Sequence, residues 1–149
     1  MQEPLLIGWR EWVSLPQLGL PAIKAKIDTG ARSSSLHVTQ LETFQRDGGT
    51  WLRFAVKPRR RSTRVVHCEA PALERRRVTD SSGNSAERWF IRSTIEFGGE
   101  HLDAEINLTD RGGMLFPMLI GRTALQGRFR VDPARSWLCG RRRRTQAAS

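Results

Sequence analysis

Ile23-Lys24-Ala25-Lys26-Ile27-Asp28-Thr29-Gly30-Ala31 is the stretch that decides how this chain is read. Residues 23–27 alternate apolar and cationic, the period-two signature of a half-buried strand, and the strand opens into a turn at Asp28. The three residue types at that turn have separate jobs. Asp28 supplies a carboxylate able to activate water, the Thr29 hydroxyl can hold the loop by hydrogen bonds, and Gly30 lets the backbone turn tightly beside a reacting centre. An Asp-Ser/Thr-Gly tripeptide recurs by chance in roughly one chain in twenty of this length. The rest of the chain therefore has to carry the reading.

Two further stretches do so. Met118-Leu119-Ile120-Gly121-Arg122 is a fully apolar strand closed by Gly and Arg, leading into Thr123-Ala124-Leu125-Gln126, a short helix. After the acid, Ala31-Arg32-Ser33-Ser34-Ser35-Leu36 runs small, then hydroxyl-rich, then apolar. Alternation dominates elsewhere. Leu102-Asp103-Ala104-Glu105-Ile106-Asn107-Leu108, Trp51-Leu52-Arg53-Phe54-Ala55-Val56 and Trp89-Phe90-Ile91-Arg92-Ser93-Thr94-Ile95-Glu96-Phe97 read as strands, the last closed by a Gly98-Gly99 hairpin turn. More strands are expected near residues 5–13, 35–41, 63–67, 74–79 and 129–132, and the basic stretch 57–87 reads as one inserted or extended hairpin. The expected fold is all-β: a small closed barrel over residues 1–140, with Asp28 at one mouth and a single short helix after Gly121. Residues 141–149, four arginines followed by Thr145-Gln146-Ala147-Ala148-Ser149, are expected to form a disordered basic tail.

The net charge is +10, concentrated in Arg59-Arg60-Arg61, Arg75-Arg76-Arg77 and Arg141-Arg142-Arg143-Arg144. Each run alone reads as a solvated loop or tail. Together they raise the local concentration of polyanions, which leaves nucleic acid, the ribosome and an acidic peptide open as partners. No stretch approaches the roughly 20 apolar residues of a membrane span, and Glu3 and Pro4 before Leu5-Leu6-Ile7 do not form a signal peptide. The expectation is a cytoplasmic protein with no membrane partner. Cys68 and Cys139 are then expected as reduced thiols. His37, His67, Cys68, His101 and Cys139 are the soft and imidazole ligands, and only His67 and Cys68 are close in sequence. Neighbouring strand residues point to opposite faces, so ligand spacing supports no metal. Neither His-Glu-x-x-His nor Gly-x-x-x-x-Gly-Lys-Ser/Thr occurs, and no cofactor is expected. The tryptophans, Trp9, Trp12, Trp51, Trp89 and Trp137, lie mostly in strand-like segments and read as core or interface residues before stacking platforms.

The Asp-Thr-Gly loop followed by an apolar strand, Gly-Arg and a short helix resembles the retropepsins, single-domain aspartic proteases of retroviral type. A closer similarity covers nearly the whole chain. Gly8-Trp9-Arg10-Glu11-Trp12-Val13-Ser14-Leu15-Pro16, Lys24 to Arg32, Asp80-Ser81-Ser82-Gly83, Met118 to Leu125 and Val131-Asp132-Pro133-Ala134-Arg135-Ser136 look like the bacterial family named for an ATP-dependent zinc protease. That family is described as retropepsin-like and is associated with ATP-grasp glutamate ligases.

The resemblance implies an aspartic peptidase acting as a homodimer. A chain of 149 residues is too short for a two-lobed arrangement carrying both aspartates, so an Asp28 pair has to come from two chains about a twofold axis. By the same resemblance Asp28 is the catalytic acid/base and Thr29 and Gly30 support its loop. Ala31, Arg32, Arg122 and a flap-like turn at Ser81, Ser82 and Gly83 bind substrate; the turn Asp47-Gly48-Gly49-Thr50 is the second flap candidate. Retroviral enzymes place an acid where Arg32 stands, paired with the arginine at the position of Arg122. Here both are basic, so either Arg122 pairs with Glu105 or Asp132, or the two arginines form a cationic rim suited to a glutamate-rich peptide. Two other readings stay open: a non-catalytic basic barrel on a ribosomal or RNA partner, and the zinc-dependent protease of the family name.

Overall fold

The computed structural model describes residues 3–80, 82–110 and 115–140; the expected disordered tail, residues 141–149, lies outside them, as does Ser81. The order is β1 (Leu5–Gly8), β2 (Arg10–Leu15), a single 3-10 turn, β3 (Leu20–Asp28), β4 (Ser34–His37), β5 (Thr39–Arg46), β6 (Gly49–Val56), β7 (Val66–Pro71), β8 (Glu74–Thr79), β9 (Ser85–Phe97), β10 (Glu100–Thr109), β11 (Met118–Gly121), α1 (Arg122–Leu125) and β12 (Phe129–Asp132). The all-β reading holds, with one short helix after Gly121.

Period-two patterning explains why these residues pair as they do. Ile23, Ala25 and Ile27 of β3, Leu102, Ala104, Ile106 and Leu108 of β10, and Met118 and Ile120 of β11 turn to a single core, and Lys24, Lys26 and Asp103 turn out. Each large aliphatic side chain withdrawn from water in this way contributes roughly 1.5–3 kcal/mol. Hydrogen-bonded neighbours run β10-β4-β11-β3-β2-β9-β8, and β9 also pairs with β10, so the pairings of six strands form a ring. A separate three-stranded sheet, β5-β6-β7, adds Leu52, Phe54, Val56 and Cys68 to the same core, and β1 and β12 form a short parallel pair.

The parallel pairing of β11 with β3 sets Ile120 beside Ile27 and Gly121 beside Asp28. The end of the apolar strand thus lies against the acid.

Four expectations change. The strand expected over 5–13 breaks at Trp9, where the chain packs against the C-terminal segment: a Cβ on Gly8 would lie 2.4 Å from the Arg135 carbonyl oxygen, and Trp9 N–H donates to that oxygen at 2.9 Å. The strand expected over 35–41 breaks at Val38, because β4 belongs to the ring and β5 to the three-stranded sheet. The stretch 57–87 is not one hairpin. Its first strand, β7, pairs with β6, and its second, β8, pairs with β9 in the ring. Finally, all five tryptophans are only half-buried, and Trp89 alone packs on the core. Trp9, Trp12 and Trp137 sit outside, with Arg10 over Trp9 at 4.7 Å and over Trp137 at 5.0 Å, and Lys24 over Trp12 at 5.4 Å. Stacked cations cover these rings in place of the core.

Candidate active site

Asp28, half-buried, is the last residue of β3, and its Oδ1 accepts the Gly30 N–H at 3.1 Å. The Ala31 N–H donates to the Asp28 carbonyl at 3.2 Å and closes the turn. Gly30 is not among the glycines with positive φ, so the turn does not need its left-handed freedom. A Cβ at Gly30 would stand 3.4 Å from Asp28 Oδ1; glycine instead leaves the space over the carboxylate open.

The start of α1 clamps this loop from behind. Arg122 N–H donates to the Ala31 carbonyl at 2.8 Å and Thr123 N–H to the Arg32 carbonyl at 3.2 Å. The Thr123 hydroxyl reaches the same Arg32 carbonyl at 2.6 Å, and Arg122 Nη1 donates to the Gly30 carbonyl at 3.2 Å. Arg122 makes no ion pair with Glu105 or Asp132; its guanidinium holds the loop backbone. Ser34 Oγ accepts the Gly121 N–H at 3.1 Å. Gly121 has to be glycine, because a Cβ there would meet the Ser33 and Ala31 carbonyl oxygens at 2.4 and 2.9 Å.

In front of the loop lies a cleft of about 1080 Å³. Asp28, Gly30, Ala31, Arg32 and Arg122 line it from the loop side, Arg76 to Asp80 from β8 and its turn, and Arg88, Arg92, Glu105 and Asn107 from β9 and β10. The Arg75-Arg76-Arg77 run lies on β8, where a strand was expected over 74–79; in place of a solvated run, Arg76 and Arg77 line the cleft. Six arginines and four carboxylates line the cleft, so its balance is cationic. Arg76 pairs with Glu74 and with Glu105 at 2.6 Å, and Arg92 pairs with Asp103 at 3.3 Å and Glu105 at 3.1 Å. The hydrogen bond from Arg76, with the charges of Arg92 and Arg32 behind it, holds the Glu105 carboxyl below its ordinary range. Exposed Arg32 and Arg77 make no ion pair with any described residue.

Thr29 is exposed beside Asp28. The β8–β9 hairpin ends in a turn in which Asp80 Oδ1 accepts the Ser82 and Asn84 N–H groups at 2.9 and 3.0 Å and Gly83 takes φ 86°. Ser82 and Gly83 stand at that tip and do not line the cleft, whereas Asp80 does. The alternative turn around Gly48 joins β5 to β6 and lines none of it.

Sequence reasoning marked the hydroxyl-rich run Ser33-Ser34-Ser35 but did not single out Asn107, the residue that joins the three serines. Buried Asn107 bonds Ser33, Ser34, Ser35 and Arg88 at once. A polar residue on the outward register of an alternating strand looks solvated, and only the tertiary contacts reveal otherwise. Glu11 is a second case: fully buried, it accepts the Gly8, Leu138 and Cys139 N–H groups at 2.7, 3.0 and 3.0 Å.

Among the described residues no three of His, Cys, Asp and Glu converge in a way that could hold a metal ion. Cys68 is buried, its thiol donating to the Leu18 carbonyl at 3.3 Å, whereas His67 faces out on the same strand. Burial pushes the Cys68 thiol up to about 11. Burial and the neighbouring Glu11 push Cys139 up to about 12. His67 and Cys68 thus lie on opposite faces of β7 and do not converge on one ion. No described helix is long and apolar enough to cross a membrane.

The family model described as RimB-like, retropepsin-like aspartic endopeptidase RimB, matches residues 6–142. Its description carries neither zinc nor ATP. A Desulfotalea psychrophila protein named probable alpha-L-glutamate ligase is 45% identical over 130 residues, 87% of this chain and 28% of that protein. One of the same name from Parasynechococcus marenigrum is 44% identical over 147 residues, 98% of this chain and 32% of that protein. The chain thus spans about three tenths of the length of these curated relatives. A crystal structure of a Legionella pneumophila protein of unknown function matches with a TM-score of 0.76 and 28% identity, over 92% of this chain and 99% of that one.

Proposed function

The chain belongs to the RimB-like family of retropepsin-like aspartic endopeptidases, and on that premise we propose that it cleaves acidic, glutamate-rich peptide segments as a cytoplasmic homodimer. One observation carries the reading: Asp28 is presented at a strand end, its Oδ1 fixed by Gly30, at the edge of a large arginine-lined cleft.

In this mechanism a twofold axis brings two Asp28 side chains together, and exposed Thr29 of each chain braces the paired loops. Two carboxylates about 3 Å apart cannot both ionise, so the pair shares one proton. The charged carboxylate takes a proton from water, which attacks the scissile carbonyl; the neutral one donates to the developing oxyanion. Arg122 and Thr123 keep the loop backbone fixed during this exchange. Arg32 and Arg77 attract the carboxylates of the substrate. The name shared by the relatives supports a glutamate ligase as the functional partner, one enzyme adding the residues that the other removes.

A second reading keeps the barrel and drops the chemistry. The net charge of +10 favours an RNA or ribosomal partner. The two readings separate on a poly-glutamate-tailed peptide offered to the wild type and to Asp28→Asn: cleavage lost in the variant supports the peptidase, and salt-sensitive RNA binding with no cleavage by either supports the adaptor.

A further inference from the structure

Asn107 is 1% exposed, and all four of its hydrogen-bonding positions are used. Oδ1 accepts from Ser35 Oγ at 3.0 Å and from Arg88 Nη1 at 3.0 Å. Nδ2 donates to Ser33 Oγ at 3.1 Å and to the Ser34 carbonyl at 2.9 Å. Only a carboxamide combines two acceptor and two donor positions at this size. An aspartate would set an oxygen against the Ser34 carbonyl, and a leucine would remove all four bonds, the buried ones to Ser34 and Ser35 among them. The residues so held follow directly on the Asp28 turn, and Ser34 in turn takes the Gly121 N–H. Arg88 belongs to β9, one arm of the β8–β9 hairpin that lines the cleft.

We propose that Asn107 is the positioning residue of the site. It fixes residues 33–35, and through them the Asp28 loop, in register with the β8–β9 hairpin, so that loop and hairpin form one unit. It does not touch the reacting atoms; it acts through the three serines. The kinetic part of the test rests on the peptidase reading, and the exchange part does not.

The experiment compares Asn107→Leu and Asn107→Asp with Leu108→Ala, a core-facing change on the same strand, all in the full chain. Amide hydrogen exchange should accelerate selectively at Gly30, Ala31, Gly121 and Arg122, by about tenfold more in Asn107→Leu than in the Leu108→Ala control after matching for global stability. On an acidic peptide kcat should fall roughly 10- to 100-fold, with KM nearly unchanged and Asn107→Asp in between. Loop amides that exchange no faster than in the control overturn the proposal, as does wild-type kcat in Asn107→Leu. A wild type that fails to cut removes the peptidase reading alone, and the exchange pattern still decides the role of Asn107.

Discussion

Gly121 lies against the backbone of Ser33 so closely that a methyl group has no room: its Cβ would be 2.4 Å from the Ser33 carbonyl oxygen. The contact is backbone to backbone, so no side-chain rotation relieves it. Gly121→Ala is expected to lose about 1–3 kcal/mol in denaturant unfolding and to push the Asp28 loop forward, with cleavage reduced more than stability alone explains. A variant of wild-type stability and rate would mean that β11 does not support the loop.

The charge balance of the cleft is held by Glu105, which faces Arg76 and Arg92 together. Glu105→Gln removes one carboxylate partner from each arginine, leaving Glu74 on Arg76 and Asp103 on Arg92, and is expected to lower KM for an acidic peptide and steepen its salt dependence; Arg32→Glu should do the reverse. Because these groups are substantially exposed, stability should move by no more than about 1 kcal/mol. Unchanged KM in both variants would remove the cleft arginines from substrate recognition.

Glu11 has no exposed surface and satisfies three backbone N–H groups that join the β1–β2 corner to the C-terminal segment. Glu11→Ala leaves three donors unsatisfied, each costing about 1–3 kcal/mol, and should abolish or nearly abolish folding. Glu11→Gln keeps one acceptor oxygen, enough for the two bonds now made by Oε2, and should lose less. Thermal melting of the pair checks the order, and equal losses would contradict it.

The thiols give an alkaline signature. Cys68 and Cys139 are raised from 9.0 to about 11 and about 12, burial being the main cause in both. The folded state therefore holds these protons more tightly than the unfolded chain, so the stability they contribute is full below pH 9 and declines as pH rises through the folded values. The chain has no tyrosine to mask that window. Cys68→Ala should flatten the decline in urea unfolding between pH 9 and 11, and a curve of unaltered slope would rule out the thiol as its source.

The ring of strands was legible wherever apolar and polar residues alternate, and Asp28, Gly121 and the helix after it fall where the sequence put them. Alternation failed to place side chains where both faces of a strand are polar. Residues 74–79 were expected as a strand and form β8, but nothing in Glu74-Arg75-Arg76-Arg77 showed that Arg76 and Arg77 line the cleft. It failed again at Glu11 and Trp12, where the acid turns inward and the tryptophan outward, the inverse of what hydropathy suggests, since backbone donors solvate the acid and cations cover the ring. Asn107 was illegible for a related reason. Its four partners come from β4, β9 and the Asp28 loop, and nothing local marks a polar residue as satisfied.

The most direct test of the central claim is cleavage of a poly-glutamate-tailed peptide by the wild type and by Asp28→Asn, side by side, with and without a metal chelator. The account predicts cleavage by the wild type in both conditions and none by a normally folded Asp28→Asn. Activity retained by the variant, or lost by the wild type in chelator and restored by zinc, would contradict it.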